Sequence, residues 1–104
     1  MIFYIWLDDE RKVQVPFYVY NNNGTVWHAQ TYDSCIRGIE IAKEYGDEIW
    51  IDFDHDLGTG KTGYDVAKYL VENQIPARYK IHSMNPVGRK NIEHLLKHYG
   101  YKYF

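Results

Sequence analysis

The chain alternates between short, wholly apolar runs and amphipathic stretches, and charge stops each apolar run. Residues 2–7 (IFYIWL) are continuously apolar, rich in β-branched and aromatic side chains, and end abruptly at Asp8 and Asp9. Such a run reads as a strand buried on both faces. IWIDF at 49–53 repeats the pattern and is stopped by Asp54, His55 and Asp56. YKIHS at 79–83 is a shorter version that ends before Asn85-Pro86, and YKYF at 101–104 is the last.

Between these runs the period becomes helical. Residues 34–45 place Ile36, Ile39 and Tyr45 near one face, with Asp33 as N-cap and Gly46 as the C′ residue. Residues 62–73 open with Thr62-x-x-Asp65, a capping box with Asp in place of Glu. Asn85 is placed to cap a helix whose first residue is Pro86, where a missing N–H costs nothing. Ile92, Leu95, Leu96 and Tyr99 then follow the spacing of a core stripe. Strands alternating with helices of this length predict βαβ units in one α/β domain, residues 1–104. Residues 12–30 break the rhythm, because KVQVPFYVY and TVWHAQ flank Asn23-Gly24, a hairpin-turn signal. The first strand is therefore expected to lead into a hairpin or extended loop instead of a helix, with Pro16 keeping that segment at a sheet edge.

Composition narrows the function classes. A chain of 104 residues holds one core and not two. A net charge of -2 with no Lys or Arg run argues against a long nucleic-acid duplex as partner. A small phosphorylated ligand needs only one or two cations and stays in play. The single Cys35 excludes an internal disulfide framework and a cysteine zinc site. The apolar start is too short to span a bilayer and lacks a basic leader, so a cytoplasmic chain without a membrane partner is expected. Trp6, Trp27 and Trp50 lie in strand patterns and are expected in the core, while His28, His94 and His98 have no distinguishing placement.

The candidate chemistry collects at the strand ends. In an open parallel sheet, ligands bind outside the carboxyl ends of the strands, near the point where strand order reverses. Three segments far apart in sequence deliver polar groups there: Asp8 to Arg11, Asp54 to Asp56, and His82 to Asn85. Carboxylates are hard oxygen ligands, so Asp8, Asp9 and Asp54 are candidate ligands for Mg²⁺ or another divalent cation. His55 and His82 titrate near neutrality and are candidates to exchange protons, with Asp54 beside them. Ser83, Asn85 and the helix start at Pro86 form a candidate anion site, with Arg89 one turn in and Arg11 on the facing rim. Gly58, Gly60, Lys61 and Thr62 make a short Gly-rich loop without Walker spacing, from which Lys61 and Thr62 are candidates to reach an anion. Tyr64, just after it, is the candidate to stack on a base.

Asp8-Asp9, Asp54 and Ser83 resemble the phosphorylation site of response-regulator receiver domains, in which the acidic pair holds Mg²⁺ and the lone Asp accepts phosphate. Three features depart from that pattern: no helix after strand one, no Lys-Pro after the last strand, and no final helix. The chain is closer to the cyclic-phosphate-processing receiver-like family, which it resembles through WLDDER at 6–11, DFDHDLG at 52–58, TGYDV at 62–66 and IHSMNPVGR at 81–89. The resemblance implies a flavodoxin-like three-layer sandwich with a mainly parallel sheet of about five strands. It also implies a phosphodiesterase-like hydrolase that binds and opens a cyclic phosphate on a nucleotide or RNA end. Capture of a cyclic nucleotide signal without cleavage, in a phage anti-defence or bacterial setting, is the rival reading. A phospho-accepting receiver is the third.

Overall fold

The computed structural model describes residues 1–14, 19, 24–58 and 60–104. Its strands are β1 (Ile2–Leu7), β2 (Thr25–Ala29), β3 (Glu48–Phe53), β4 (Arg78–Ile81) and β5 (Lys102–Tyr103). Its helices among the described residues are α1 (Tyr32–Tyr45), α2 (Gly63–Glu72) and α3 (Pro86–His98). The strands form one sheet in the order β2-β1-β3-β4-β5, and every pairing is parallel. The order reverses between β1 and β3, which is where a doubly wound sheet opens a crevice at its carboxyl edge.

Successive residues of a strand point to opposite faces, and the two faces here are built differently. Phe3, Ile5 and Leu7 of β1, Ile49, Ile51 and Phe53 of β3, and Tyr79 and Ile81 of β4 form the main core. They pack with Ile39 and Ala42 of α1, Val66 and Leu70 of α2, and Ile92 and Leu96 of α3. All three helices thus cover the odd-numbered face. The even-numbered residues Tyr4 and Trp6 form a second cluster with Val19, joined by Val13, Trp50 and Phe104. Among the described residues, Val13, Val19, Trp50 and Phe104 pack on that face.

Local signals explain the element ends. Asn85 Oδ1 accepts from Gly88 N at 2.9 Å and Pro86 opens α3, as the residue pattern predicts. Thr62 N donates to Asp65 Oδ2 at 2.8 Å, the acidic half of the capping box. Gly46 stops α1 at φ 72, a left-handed conformation that glycine takes without steric cost. The cap of α1 differs from expectation. Thr31, not Asp33, holds that position and accepts from Ser34 N at 3.1 Å. The helix starts earlier, and Asp33 lies in its first turn, where its charge still suits the helix dipole. Tyr45 and Tyr99 are exposed rather than buried, because they fall at the last residue of α1 and the C-cap of α3. The expected hairpin over 12–30, with Pro16 and Asn23, lies largely outside the described residues. Within them, residues 25–29 pair with β1 in parallel. The chain's last element is a strand, not a helix.

Candidate functional site

Alternation along the strands decides which side chains meet. Asp8 follows Leu7 of β1, Asp54 follows Phe53 of β3 and His82 follows Ile81 of β4, so all three fall on the even-numbered face. Register reinforces this, since Trp6 of β1 pairs with Asp52 of β3. Ligand atoms of Asp8, Asp54 and His82 lie within 4.8 Å of one another, a group that could hold a metal ion. Asp8 and Asp54 are buried and His82 is half-buried.

His82 is fixed on every side. Its Nδ1 lies 2.7 Å from Asp52 Oδ1, and its Nε2 lies 2.9 Å from Asp8 Oδ2. Its ring stacks on Trp6 with centroids 4.1 Å apart and planes 1° from parallel. Asp52 accepts in turn from the Tyr4 hydroxyl at 3.0 Å. A carboxylate inside a buried strand is costly unless hydrogen-bonded, and this chain of contacts satisfies it. Burial pulls the His82 pKa down, but its bonds to Asp52 and Asp8 outweigh that effect and hold it above the usual histidine value.

Asp8 organises the loop after β1. Its Oδ1 accepts from the backbone N–H groups of Glu10 and Arg11, each at 2.8 Å. Burial pushes its pKa up, but those two donors and His82 overcome it and keep the carboxyl below its ordinary value. Asp54 behaves oppositely, because burial and then the Asp8 charge raise its pKa. The Trp6 indole donates to Arg11 O at 3.2 Å, and Arg11 Nη1 donates to His82 O at 3.0 Å. Arg11 is thereby tied to β1 through its carbonyl and to the end of β4 through its guanidinium. Gly63 packs so closely on the Asp54 carbonyl that a Cβ there would collide with it.

Above this cluster opens a groove of about 380 Å³ lined by Asp9, Glu10, Arg11, Asp54, Asp56, Gly58 and Met84. Four carboxylates face one guanidinium, so an incoming phosphate meets net negative charge unless a cation accompanies it. Asp56, on the groove wall, is held by His55 Nδ1 at 2.9 Å and approached by Asn85 Nδ2 at 3.4 Å. The His55 bond is the main reason the Asp56 pKa falls below the usual carboxylate value.

The other candidate residues are placed apart. His55 follows Asp54 by one residue and faces the helices, where Gly88 of α3 sits directly against its ring. Ser83 is buried, and its Oγ accepts from Asn85 N at 3.1 Å within the turn into α3. Arg89 is exposed on α3 and does not line the groove. Lys61 lies over the Tyr32 ring at 4.3 Å, in a separate cavity beside Leu57 and Gly60. Thr62 is spent on the cap of α2. Tyr64 lines a cavity on α2 and α3 with Asn91, His94 and His98.

Reading the sequence alone misses Asp52, Tyr4 and Trp6 as parts of the site. The available signal is Asp52 itself, a lone acid inside an apolar strand and two residues before Asp54. His28, also without a distinguishing feature in sequence, has its Nε2 3.0 Å from Asp8 O.

The family model of the cyclic-phosphate processing receiver domain matches residues 3–98 of this chain. No curated protein and no solved structure matches it.

Proposed function

From the premise that the chain belongs to the cyclic-phosphate processing receiver family, we propose that it binds a cyclic phosphodiester at the carboxyl edge of its sheet and hydrolyses it. The observation that carries this reading is His82, held between Asp52 and Asp8 with Asp54 alongside. Receiver-type acidic sites accept a phosphoryl group, whereas an added, oriented imidazole suits a site that moves a proton to an ester oxygen.

The acidic groove fits a divalent cation. Asp8, Asp9 and one oxygen of Asp54 are the hard donors suited to Mg²⁺, which would offset the phosphate charge and polarise its P–O bonds. Arg11 lines the groove and offers its guanidinium to the phosphate oxygens. Asp54, with its raised pKa, is the base that takes a proton from the attacking water. Oxygen of that water bonds to phosphorus as one ring P–O bond breaks. The Nε2 proton of His82 passes to the departing ester oxygen. The product is a phosphomonoester with one freed hydroxyl. His55 and Asn85 brace Asp56 on the groove wall.

The test is incubation of the full chain with cyclic nucleotides and with RNA ending in 2′,3′-cyclic phosphate, with and without EDTA. Hydrolysis that is lost on His82→Ala supports the reading. Tight binding with the ligand recovered intact after denaturation overturns it in favour of capture. Labelling of Asp54 by acetyl phosphate, without hydrolysis, overturns it in favour of a phospho-accepting receiver.

A further inference from the structure

We propose that His94 and His98, one turn apart on α3, together bind a transition-metal ion of the Zn²⁺, Ni²⁺ or Cu²⁺ class in the cavity between α2 and α3. This site is separate from the acidic groove and does not depend on the hydrolytic reading above.

Helix geometry brings the two rings together. Residues four apart on an α-helix stand on one face with Cβ atoms about 5–6 Å apart, a spacing at which two imidazoles can share one metal ion. Both positions fall within α3, Pro86–His98. The last turn is closed, because Tyr101 N donates to Leu96 O at 3.0 Å and Gly100 turns the chain at φ 81. Ile92 and Leu96, both wholly buried, fix the opposite side of the helix in the core. The backbone that carries the pair is therefore held in place before any ion arrives.

The surroundings supply what such an ion needs. Tyr64, Asn91, His94, Leu95, His98 and Tyr99 line one cavity of about 410 Å³. Among the described residues, the side chains of Tyr64, Asn91, His94 and His98 make no hydrogen bond, so their polar atoms are free for a ligand. The one carboxylate of α3, Glu93, is engaged with Lys97 Nζ at 3.0 Å, which leaves the imidazoles as the strong donors. Imidazole nitrogen suits Zn²⁺, Ni²⁺ and Cu²⁺, whereas Mg²⁺ takes oxygen ligands. Asn91, one turn before His94, offers an amide oxygen, and water fills the remaining positions. His98 stands in the last turn of α3, where the negative end of the helix dipole favours a cation.

The test is titration of the ¹⁵N-labelled full chain with Cu²⁺ at about pH 7.5 in excess Mg²⁺, read by paramagnetic broadening of the amide signals. Signals of residues 91–99 and of Tyr64 are expected to broaden. His94→Ala and His98→Ala are each expected to weaken this binding by about tenfold or more. The double variant is expected to lose little beyond either single one, because a chelate fails when one arm is removed. Both sites are exposed helix positions that accept Ala, so the variants keep the fold. Zn²⁺ calorimetry is expected to count one site fewer in the double variant than in the wild type. An equal count overturns the proposal, and so does broadening at α3 that survives His94→Ala unchanged. Single-variant losses that simply add overturn it as well, since they mark two independent surface histidines.

Discussion

His55 and His82 look alike in sequence, each standing just past the end of a strand run, yet the fold treats them as opposites. His82 sits on the even-numbered face, stacked on Trp6 and gripped by two carboxylates. His55 sits on the odd-numbered side, pressed under Gly88 of α3, with one exposed carboxylate partner in Asp56. One residue of strand phase separates them. The same side chain is locked between two carboxylates on one face and braces a helix against a loop on the other.

The sharpest way to break this comparison is to remove each ring in turn. Loss of a positioned acid is worth about 10²–10⁴-fold, so His82→Ala should lower turnover of a cyclic phosphate by that factor. His55→Ala should cost clearly less, because it disturbs only the wall residue Asp56. Steady-state rates on both variants check the order, and a larger loss for His55 would reverse the assignment. Stability should show the opposite bias. Gly88→Ala drives a Cβ into the His55 ring and should destabilise the fold by about 1–3 kcal/mol despite the better helix propensity of Ala. Thermal melting reads this, and an unchanged or raised midpoint would mean that the ring yields freely.

The smallest expected effect is pH dependence. The folded pKa of His82 lies above its reference value of 6.5, so the folded chain binds this proton more tightly than the unfolded one. The resulting stability is fully present below about pH 6.5 and is lost as pH rises through the folded value. Denaturant midpoints should fall from about pH 6 to about pH 9, and Asp52→Asn should flatten that slope. An equal slope in the variant would place the titrating group elsewhere.

Much of the frame was legible before any coordinates. The runs at 2–7 and 49–53 predict β1 and β3 because continuous β-branched and aromatic stretches bury both faces of a strand. The turn at Asn85-Pro86 predicts the start of α3 because cap and N1 chemistry is local. Asp8, Asp54 and His82 are legible as one rim because each ends an apolar run in a parallel sheet. Lys61, Thr62 and Tyr64 also follow that rim in sequence, but the turn into α2 sends Lys61 and Tyr64 to other cavities and spends Thr62 on the helix cap. Loop direction depends on packing, and no spacing rule reports it.

The sequence by itself determined that strands alternate with helices, that acids and histidines end the strands, and which family the chain resembles. Those are local or periodic properties, written in neighbouring residues. Only the tertiary structure decided that Tyr4, Trp6 and Asp52 belong with His82, and that His55 does not. That choice depends on the register of β1 against β3, which sets Trp6 beside Asp52, and on which face the helices cover. Register and face arise from pairing residues some forty-five positions apart, so the partners of His82 are visible only once the sheet has formed.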